Sequence, residues 1–169
     1  PAPRAREPPP RHTTTQARLL LFLQTLGGCE LDKCGRHRDL IPRLLHIVER
    51  ELLTAKGLRS LSPSAPHYVP HYEGAQWTRD EASHQGTAWS HLLGWYVDAL
   101  VLLREDKGRN EAWELLSALL SHLDEGCVGT LSELFDGAPP HTHRGCIAYA
   151  CTVAEVLRAE KAQVDRFAG

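Results

Sequence analysis

The chain has 169 residues, of which 42% are hydrophobic, and 19 Lys and Arg side chains against 21 Asp and Glu give a formal net charge of −2. This length predicts one domain with a sizeable core and is short for two. The near-neutral charge argues against a nucleic-acid partner or a membrane-surface role, since both favour a basic face. The longest apolar run, Leu19 to Leu23, is far below the roughly 20 residues of a membrane span, so we expect no membrane partner.

The cysteines are odd in number and irregularly spaced, which argues against a disulfide framework and predicts reduced thiols in a cytoplasmic protein. They are Cys29, Cys34, Cys127, Cys146 and Cys151. Cys29 and Cys34 could begin a zinc site, but no second ligand pair at the spacing of a zinc finger follows. We therefore expect no metal site and no cofactor.

The N-terminal elements are predicted from proline content and helix caps. The first ten residues hold five of the 11 prolines, so residues 1–12 are predicted to be disordered. Thr13 begins a predicted helix that ends near Leu26 before two glycines. A polar loop over residues 29–37 follows. Apolar residues at helical spacing then predict a second helix from Asp39 to about Ala55.

Three further helices follow from the same periodicity. They are predicted over Thr87–Arg104, Asn110–Leu123 and about Gly145–Arg158. Trp113 is expected to face the core with the leucines of its helix. No run alternates as a strand does, so the predicted class is all-α, with five helices.

Two long loops separate these helices. Residues 58–86 contain several prolines together with Tyr68, Tyr72 and Trp77, and residues 124–143 are rich in Gly, Asp, Pro and His. Long irregular segments inside a compact domain are often functional, and aromatic side chains on loops can build a pocket.

Glu133 and Asp136 are the first candidates for chemistry. On a helical turn their spacing would place them on one face, where two close carboxylates raise one pKa, as acid–base catalysis requires. The alternative is a solvated acidic turn, since Asp136-Gly137 is a common turn dipeptide.

A second candidate is the polar stretch from Arg79 to Trp89. Hydrogen-bonding side chains close to an indole suit a sugar, whose hydroxyls need partners and whose C–H face stacks on a ring. The alternative is a helix N-terminus with Trp89 in the core. His141 and His143 resemble a metal pair only superficially, and lining of a pocket or exposure fits them better.

Four ordered blocks across residues 48–158, about two thirds of the chain, resemble the end of the amylo-α-1,6-glucosidase region of glycogen debranching enzymes. The blocks are Leu53-Thr54-x-x-Gly57-Leu58-Arg59-Ser60-Leu61-Ser62-Pro63 with Tyr72-Glu73-Gly74, Arg79-Asp80 with His84-Gln85-Gly86-Thr87-x-Trp89, Leu92-Leu93-Gly94-x-x-Val97-Asp98-Ala99, and Glu133-Leu-Phe-Asp136-Gly137-x-Pro-Pro-His141-x-x-Arg144-Gly145-Cys146 with Ala150-x-x-Val153-Ala154-Glu155-Val156-Leu157-Arg158. Residues 1–40 match no part of the family pattern that we recognise.

The resemblance implies an (α/α)6 toroid, in which six helical hairpins frame a pocket. Twelve helices with their connections need on the order of 200 residues, so five helices cannot close the ring. Residues 13–169 would then form the C-terminal part of the toroid, and the missing N-terminal part would be its partner.

The resemblance also implies hydrolysis of the α-1,6-linked branch-point glucose of glycogen or limit dextrin, with inversion. Glu133 would be the general base, and the general acid would be an Asp upstream of this chain, so the isolated chain is expected to be inactive. Asp136 would orient Glu133 or a sugar hydroxyl. The other implied glucose-binding residues are Arg59, Tyr72, Arg79, Asp80, His84, Gln85, Trp89 and His141.

The chain departs from the family pattern at several pocket positions, among them Ser83, His91, Trp95, Ala138 and the segment from Tyr149 to Thr152. Two alternatives therefore stay open. One is another toroid glucosidase, of trehalase type; the other is a non-catalytic helical module that binds a glycan or a protein partner.

Overall fold

The computed structural model describes residues 41–126 and 128–165. Several predictions lie outside these residues: the disordered segment 1–12, the first helix and the loop after it. Cys29, Cys34 and Cys127 lie outside them too.

Helices dominate the described residues, in agreement with the predicted helical class. They are α1 (Ile41–Glu51), α2 (Gln76–His84), α3 (Leu92–Leu120), a 3-10 helix (Ser121–Asp124) and α4 (Ala150–Asp165). Apolar side chains one turn apart bury one face of α1 against the core, as the periodicity predicts. The predicted end near Ala55 was wrong, because Leu53 and Thr54 pair as a strand. Within the described ranges, no helix combines the length and the apolarity that crossing a bilayer requires.

The long helix α3 joins most of the two helices predicted over Thr87–Arg104 and Asn110–Leu123. Their outer ends were predicted wrongly, since Ala88 and Trp89 form a strand and residues 121–123 belong to the 3-10 helix. Glu105 interrupts α3 with φ 48° and ψ −121°, so the predicted break is present as a kink. Beyond the kink, a Cβ on Gly108 would lie 2.4 Å from the Leu100 carbonyl oxygen. Only glycine allows this close approach of the two segments.

The orientation of Trp113 on α3 was predicted wrongly, because its side chain is 55% exposed. Leu116 and Leu119 of the same segment are buried as expected. Helical spacing places an apolar stripe on one face, but it does not tell which edge of the stripe the neighbouring elements cover.

The absence of strands was also predicted wrongly, since five short strands form one antiparallel sheet in the order β1-β2-β3-β4-β5. They are β1 (Leu53–Thr54), β2 (Gly57–Arg59), β3 (Ala88–Trp89), β4 (Leu134–Phe135) and β5 (His143–Arg144). Strands of two or three residues are too short to display an alternating pattern.

The register of this sheet aligns segments that are far apart in sequence. Trp89 pairs with Leu58 on one side and with Leu134 on the other, and Leu134 pairs with Arg144. The sheet therefore sets the segment before β4, which contains Glu133, beside the segment that contains Trp89.

The two predicted loops are less irregular than expected. Residues 58–86 contain part of β2 and all of α2, and residues 124–143 contain β4.

Helix α4 begins at Ala150, after the predicted start at Gly145, and extends to Asp165. The core lies between the helices and the sheet, with Leu58, Leu93, Leu100 and Phe135 completely buried.

Candidate active site

An open cleft of about 880 Å³ lies where α2, β3 and the start of β4 meet. Six of the predicted site residues line it: Tyr72, Arg79, Asp80, His84, Trp89 and Glu133. Four further residues line it: Gln76, Trp77, Ser83 and Leu134. Of these, the sequence indicated Trp77 as an aromatic of a possible pocket loop and Ser83 as a departure from the family pattern, and it did not indicate the other two. The structure thus brings most of the predicted residues into one polar cavity with indole rings in its wall.

Glu133 is half-buried in this cleft and held by two hydrogen bonds with one residue. Its backbone N–H donates to the Cys146 carbonyl oxygen at 2.9 Å, and the Cys146 N–H donates to Glu133 Oε2 at 2.9 Å. Within the described part of the chain, Glu133 Oε1 has no hydrogen-bond partner. One carboxylate oxygen is therefore oriented by the backbone and the other is available to a water or a ligand.

Gly145 makes this arrangement possible. Its φ is +69°, a value that favours glycine, and a Cβ there would lie 2.6 Å from Glu133 Oε2. Any other residue at this position would both strain the backbone and push the carboxylate away from the Cys146 N–H.

We predict that Gly145→Ala lowers the free energy of unfolding by about 2–4 kcal/mol, from backbone strain plus the broken hydrogen bond. Gly129→Ala is the matched control. Its φ is +84° and nothing lies within 4 Å of the added Cβ, so only strain of about 1–2 kcal/mol is expected. Urea denaturation measures both free energies of unfolding. An equal loss of stability in the two variants would contradict the role of Gly145 in leaving room for the Glu133 carboxylate.

The residue before Glu133 belongs to a polar network that the sequence did not indicate and that is buried except at Glu125. Ser132 Oγ pairs with His122 Nε2 at 2.8 Å, and His122 Nδ1 pairs with Glu125 Oε2 at 2.9 Å. Thr152 Oγ1 donates to the Ser132 carbonyl oxygen at 3.1 Å. The hydrogen bond from His122 lowers the pKa of Glu125. This network ties the segment before β4 to the 3-10 helix and to α4, and so it holds the backbone that carries Glu133.

Asp136 does not line the cleft, and it is only 2% exposed. Its Oδ1 accepts from the Tyr72 N–H at 2.9 Å, its Oδ2 accepts from Arg144 Nη2 at 3.0 Å, and His71 Nδ1 lies 3.3 Å from Oδ2. The helical turn expected to pair Asp136 with Glu133 is absent, since the residues between them form β4. Within the structure, Asp136 positions Tyr72 in the cleft wall.

The pKa of Asp136 reflects this environment. Burial alone would raise it, but hydrogen bonds from Arg144, the Tyr72 backbone and His71 outweigh burial and place the pKa below its ordinary value. The carboxylate therefore stays ionised under physiological conditions, and its oxygens are occupied by the protein.

Three other predicted site residues lie outside the cleft lining and bind loop backbone. Arg59 Nε donates to the Gly137 carbonyl oxygen at 2.7 Å. The Gln85 carbonyl oxygen accepts from Val69 N–H at 2.7 Å, and His141 Nδ1 pairs with the Asp136 carbonyl oxygen at 2.9 Å.

Trp89 takes part in both the cleft and the scaffold. Its Nε1–H donates to the Ser83 carbonyl oxygen at 2.9 Å, and its ring packs edge-on against His91 with centroids 5.6 Å apart. One side of a half-buried indole is thereby held in place while the residue still lines the cleft.

Among residues 41–126 and 128–165, no group of three or more His, Cys, Asp or Glu is arranged to hold a metal ion. Cys146 and Cys151 are free and exposed.

Glu133 is a carboxylate held by a backbone N–H, and it lies in a polar cleft that is lined by indole rings on a largely helical scaffold. This arrangement suits a protein that acts on carbohydrates. The chain belongs to the amylo-alpha-1,6-glucosidase family, whose model matches residues 30–158. This family comprises enzymes of the glycoside hydrolase kind. No curated protein matches the chain.

The family match confirms the resemblance and extends it. The match begins at residue 30, whereas the sequence motifs place the start of the resemblance at residue 48. Residues 30–40, which we expected to match nothing, therefore belong to the family region. This part lacks the dense motifs of the later blocks, so short-motif reasoning does not detect it.

Proposed function

We propose that this chain supplies the base-bearing part of an inverting α-1,6-glucosidase active site. The substrate is the branch-point glucose of glycogen or a limit dextrin. The observation that carries the proposal is the geometry of Glu133, which lines the cleft with Oε2 held by the Cys146 N–H and Oε1 without a partner among the described residues.

In this reaction Glu133 Oε1 takes a proton from a water molecule as the water oxygen bonds to the anomeric carbon. The bond from that carbon to the glycosidic oxygen breaks, and a general acid protonates the departing oxygen. Inversion requires the two carboxyl groups to lie about 6.5–9.5 Å apart, which leaves room for the water. The products are glucose of inverted configuration and the debranched chain.

The general acid belongs, in this proposal, to a further part of an (α/α)6 toroid that packs against this chain. Exposed apolar side chains on the helices support such a neighbour, because water-exposed apolar surface favours burial. They include Leu102 and Trp113 on α3 and Leu157 on α4. Residues 13–169 are then one portion of the catalytic domain.

The substrate is an uncharged glycan, and the cleft chemistry supports this choice. Arg79 and Asp80 offer opposite charges side by side, and Tyr72, Gln76 and Ser83 add uncharged donors and acceptors to the lining. Hydroxyl groups hydrogen-bond to such a mixture without requiring a net charge. We further propose that the protein acts in the cytoplasm, where the free thiols Cys146 and Cys151 would stay reduced.

The proposal is tested by incubating the 169-residue chain with limit dextrin and measuring both binding and released glucose. We expect binding without glucose release, because the general acid is not supplied. Turnover comparable to an intact debranching enzyme would overturn the assignment of the acid. Asp80→Asn would then be the first variant to examine, since Asp80 is the other carboxylate that lines the cleft.

The same binding measurement separates the alternatives. Trehalose binding in preference to isomaltose would indicate a toroid glucosidase of trehalase type. Glucan binding without glucose release by a complete protein would indicate the non-catalytic module, and unchanged glucose release in its Glu133→Gln variant would place the general base elsewhere. Failure to bind any glucan would contradict the proposed function.

A further inference from the structure

Trp77, the second residue of α2, is an exposed indole inside the cleft. Its side chain is 64% exposed, although it lines the same cavity as Glu133. A large apolar ring left in water forfeits the free energy of burial, so an exposed indole in a concave site is a candidate ligand contact.

Trp77 differs from the other indole of the cleft. Trp89 uses its Nε1–H on the Ser83 carbonyl oxygen and packs against His91. In the part of the chain that the structure describes, the indole of Trp77 makes neither a hydrogen bond nor a ring contact. Its ring face and its Nε1–H are both available to a ligand.

The neighbours of Trp77 define the kind of ligand. Gln76, Arg79, Asp80 and His84 lie on the same helix and line the same cleft. They supply hydrogen-bond donors and acceptors, and the opposite charges of Arg79 and Asp80 offset each other. An apolar ring face bordered by such groups matches a sugar, with its C–H face on the ring and its hydroxyls toward the polar side chains.

The size of the cleft favours more than one sugar. Its volume of about 880 Å³ lies in the upper part of the roughly 300–1,000 Å³ range of sites for drug-sized ligands. One glucosyl unit at Glu133 would leave much of this space empty.

We propose that Trp77 is the stacking platform of a second glucosyl subsite, adjacent to the unit at Glu133. The inference rests on the proposed function, because it takes α-glucan as the ligand of the cleft. It adds that Trp77 contacts the glucosyl unit next to the branch-point glucose and determines the preference for a chain over free glucose.

The test compares binding of glucose and isomaltose to the 169-residue chain by saturation-transfer NMR and NMR titration. Trp77→Ala is expected to weaken isomaltose binding about 5- to 30-fold, the factor that corresponds to losing one stacked aromatic contact. Glucose binding should stay unchanged, and Trp77→Phe should restore most of the affinity for isomaltose. The matched control is Trp113→Ala, which removes an indole that is 55% exposed on α3, outside the residues that line the cleft.

Three results would overturn the assignment of Trp77 as the stacking platform of a second subsite. Isomaltose binding to Trp77→Ala at the wild-type affinity would show that the ring is not a contact. An equal loss in Trp113→Ala would show a non-specific effect, and an equal loss for glucose would place Trp77 at the first subsite. A wild-type chain that binds no glucan overturns the proposed function as well, whereas the other results leave that function standing.

Discussion

Glu133→Gln is expected to lower glucose release from limit dextrin by about 10²- to 10⁴-fold in a complete enzyme that carries this region, the usual contribution of a positioned general base. The amide oxygen of Gln can still accept the Cys146 N–H that now donates to Oε2 at 2.9 Å. The fold and glucan binding should therefore be retained. Only the acceptance of a proton from water is lost.

Glu81→Gln is the control for this variant. Glu81 lies on α2, is exposed and does not line the cleft, so its replacement should leave the rate unchanged. Initial rates of glucose release and direct glucan binding are measured on all three proteins. Wild-type rates in Glu133→Gln would place the base elsewhere, and a parallel loss of binding would show that Glu133 acts as a ligand contact.

Asp136→Asn is expected to lower the free energy of unfolding by about 2–4 kcal/mol, because it removes the charge that a buried arginine contact and a backbone N–H depend on. Asn keeps one acceptor oxygen and so cannot replace both carboxylate oxygens, and Glu73, whose Oε1 accepts from Nη2 at 2.5 Å, would be left as the ionised partner of Arg144. For a chain of this size, the expected fall in melting temperature is about 5–15 °C. Thermal and urea denaturation measure the change.

The control for Asp136→Asn is Asp106→Asn. Asp106 pairs with Arg109 on α3 but is 91% exposed in its side chain, so its loss should cost less than about 1 kcal/mol. If both variants lose the same stability, the network around Asp136 does not have the role that its geometry indicates.

The stabilisation by Asp136 also has a defined pH dependence. Its pKa in the folded protein lies below the ordinary value of 3.8, which the unfolded chain retains. The unfolded state therefore binds the proton more tightly, so the stabilisation is complete above about pH 4 and is lost as the pH falls through the folded pKa. The difference in stability between wild type and Asp136→Asn should shrink below pH 4, and Glu73→Gln measured alongside isolates the second carboxylate on Arg144.

Much of the helical part of this fold could be predicted, because helical periodicity is a local property of the sequence. Helix α1 and the break within α3 follow from apolar residues spaced one turn apart and from their interruption. The strands could not be predicted in this way. A pair such as Trp89 and Leu134 forms because the helices bring two short segments together, and neither segment has a strand pattern of its own.

For the candidate site, too, some features follow from the local sequence and others only from the packing. Motifs alone placed Glu133 and Trp89 among the site residues, and both line the cleft; their roles in binding and catalysis stay predictions. Asp136 stands in the same motif, yet its oxygens are occupied by Arg144, Tyr72 and His71. Spacing shows which groups are close in the chain, but only packing shows which of them keep a free oxygen.

By itself, the sequence determined the family and the helical class, since ordered motifs and periodicity can both be read residue by residue. Only the tertiary structure decided that Glu133 Oε1 is open while Asp136 is enclosed, that Gly145 leaves room for the carboxylate, and that Trp77 stands exposed in the cleft. The physical reason is that burial and hydrogen-bond occupancy depend on groups far apart in the chain, so they are defined only once the sheet and helices have packed.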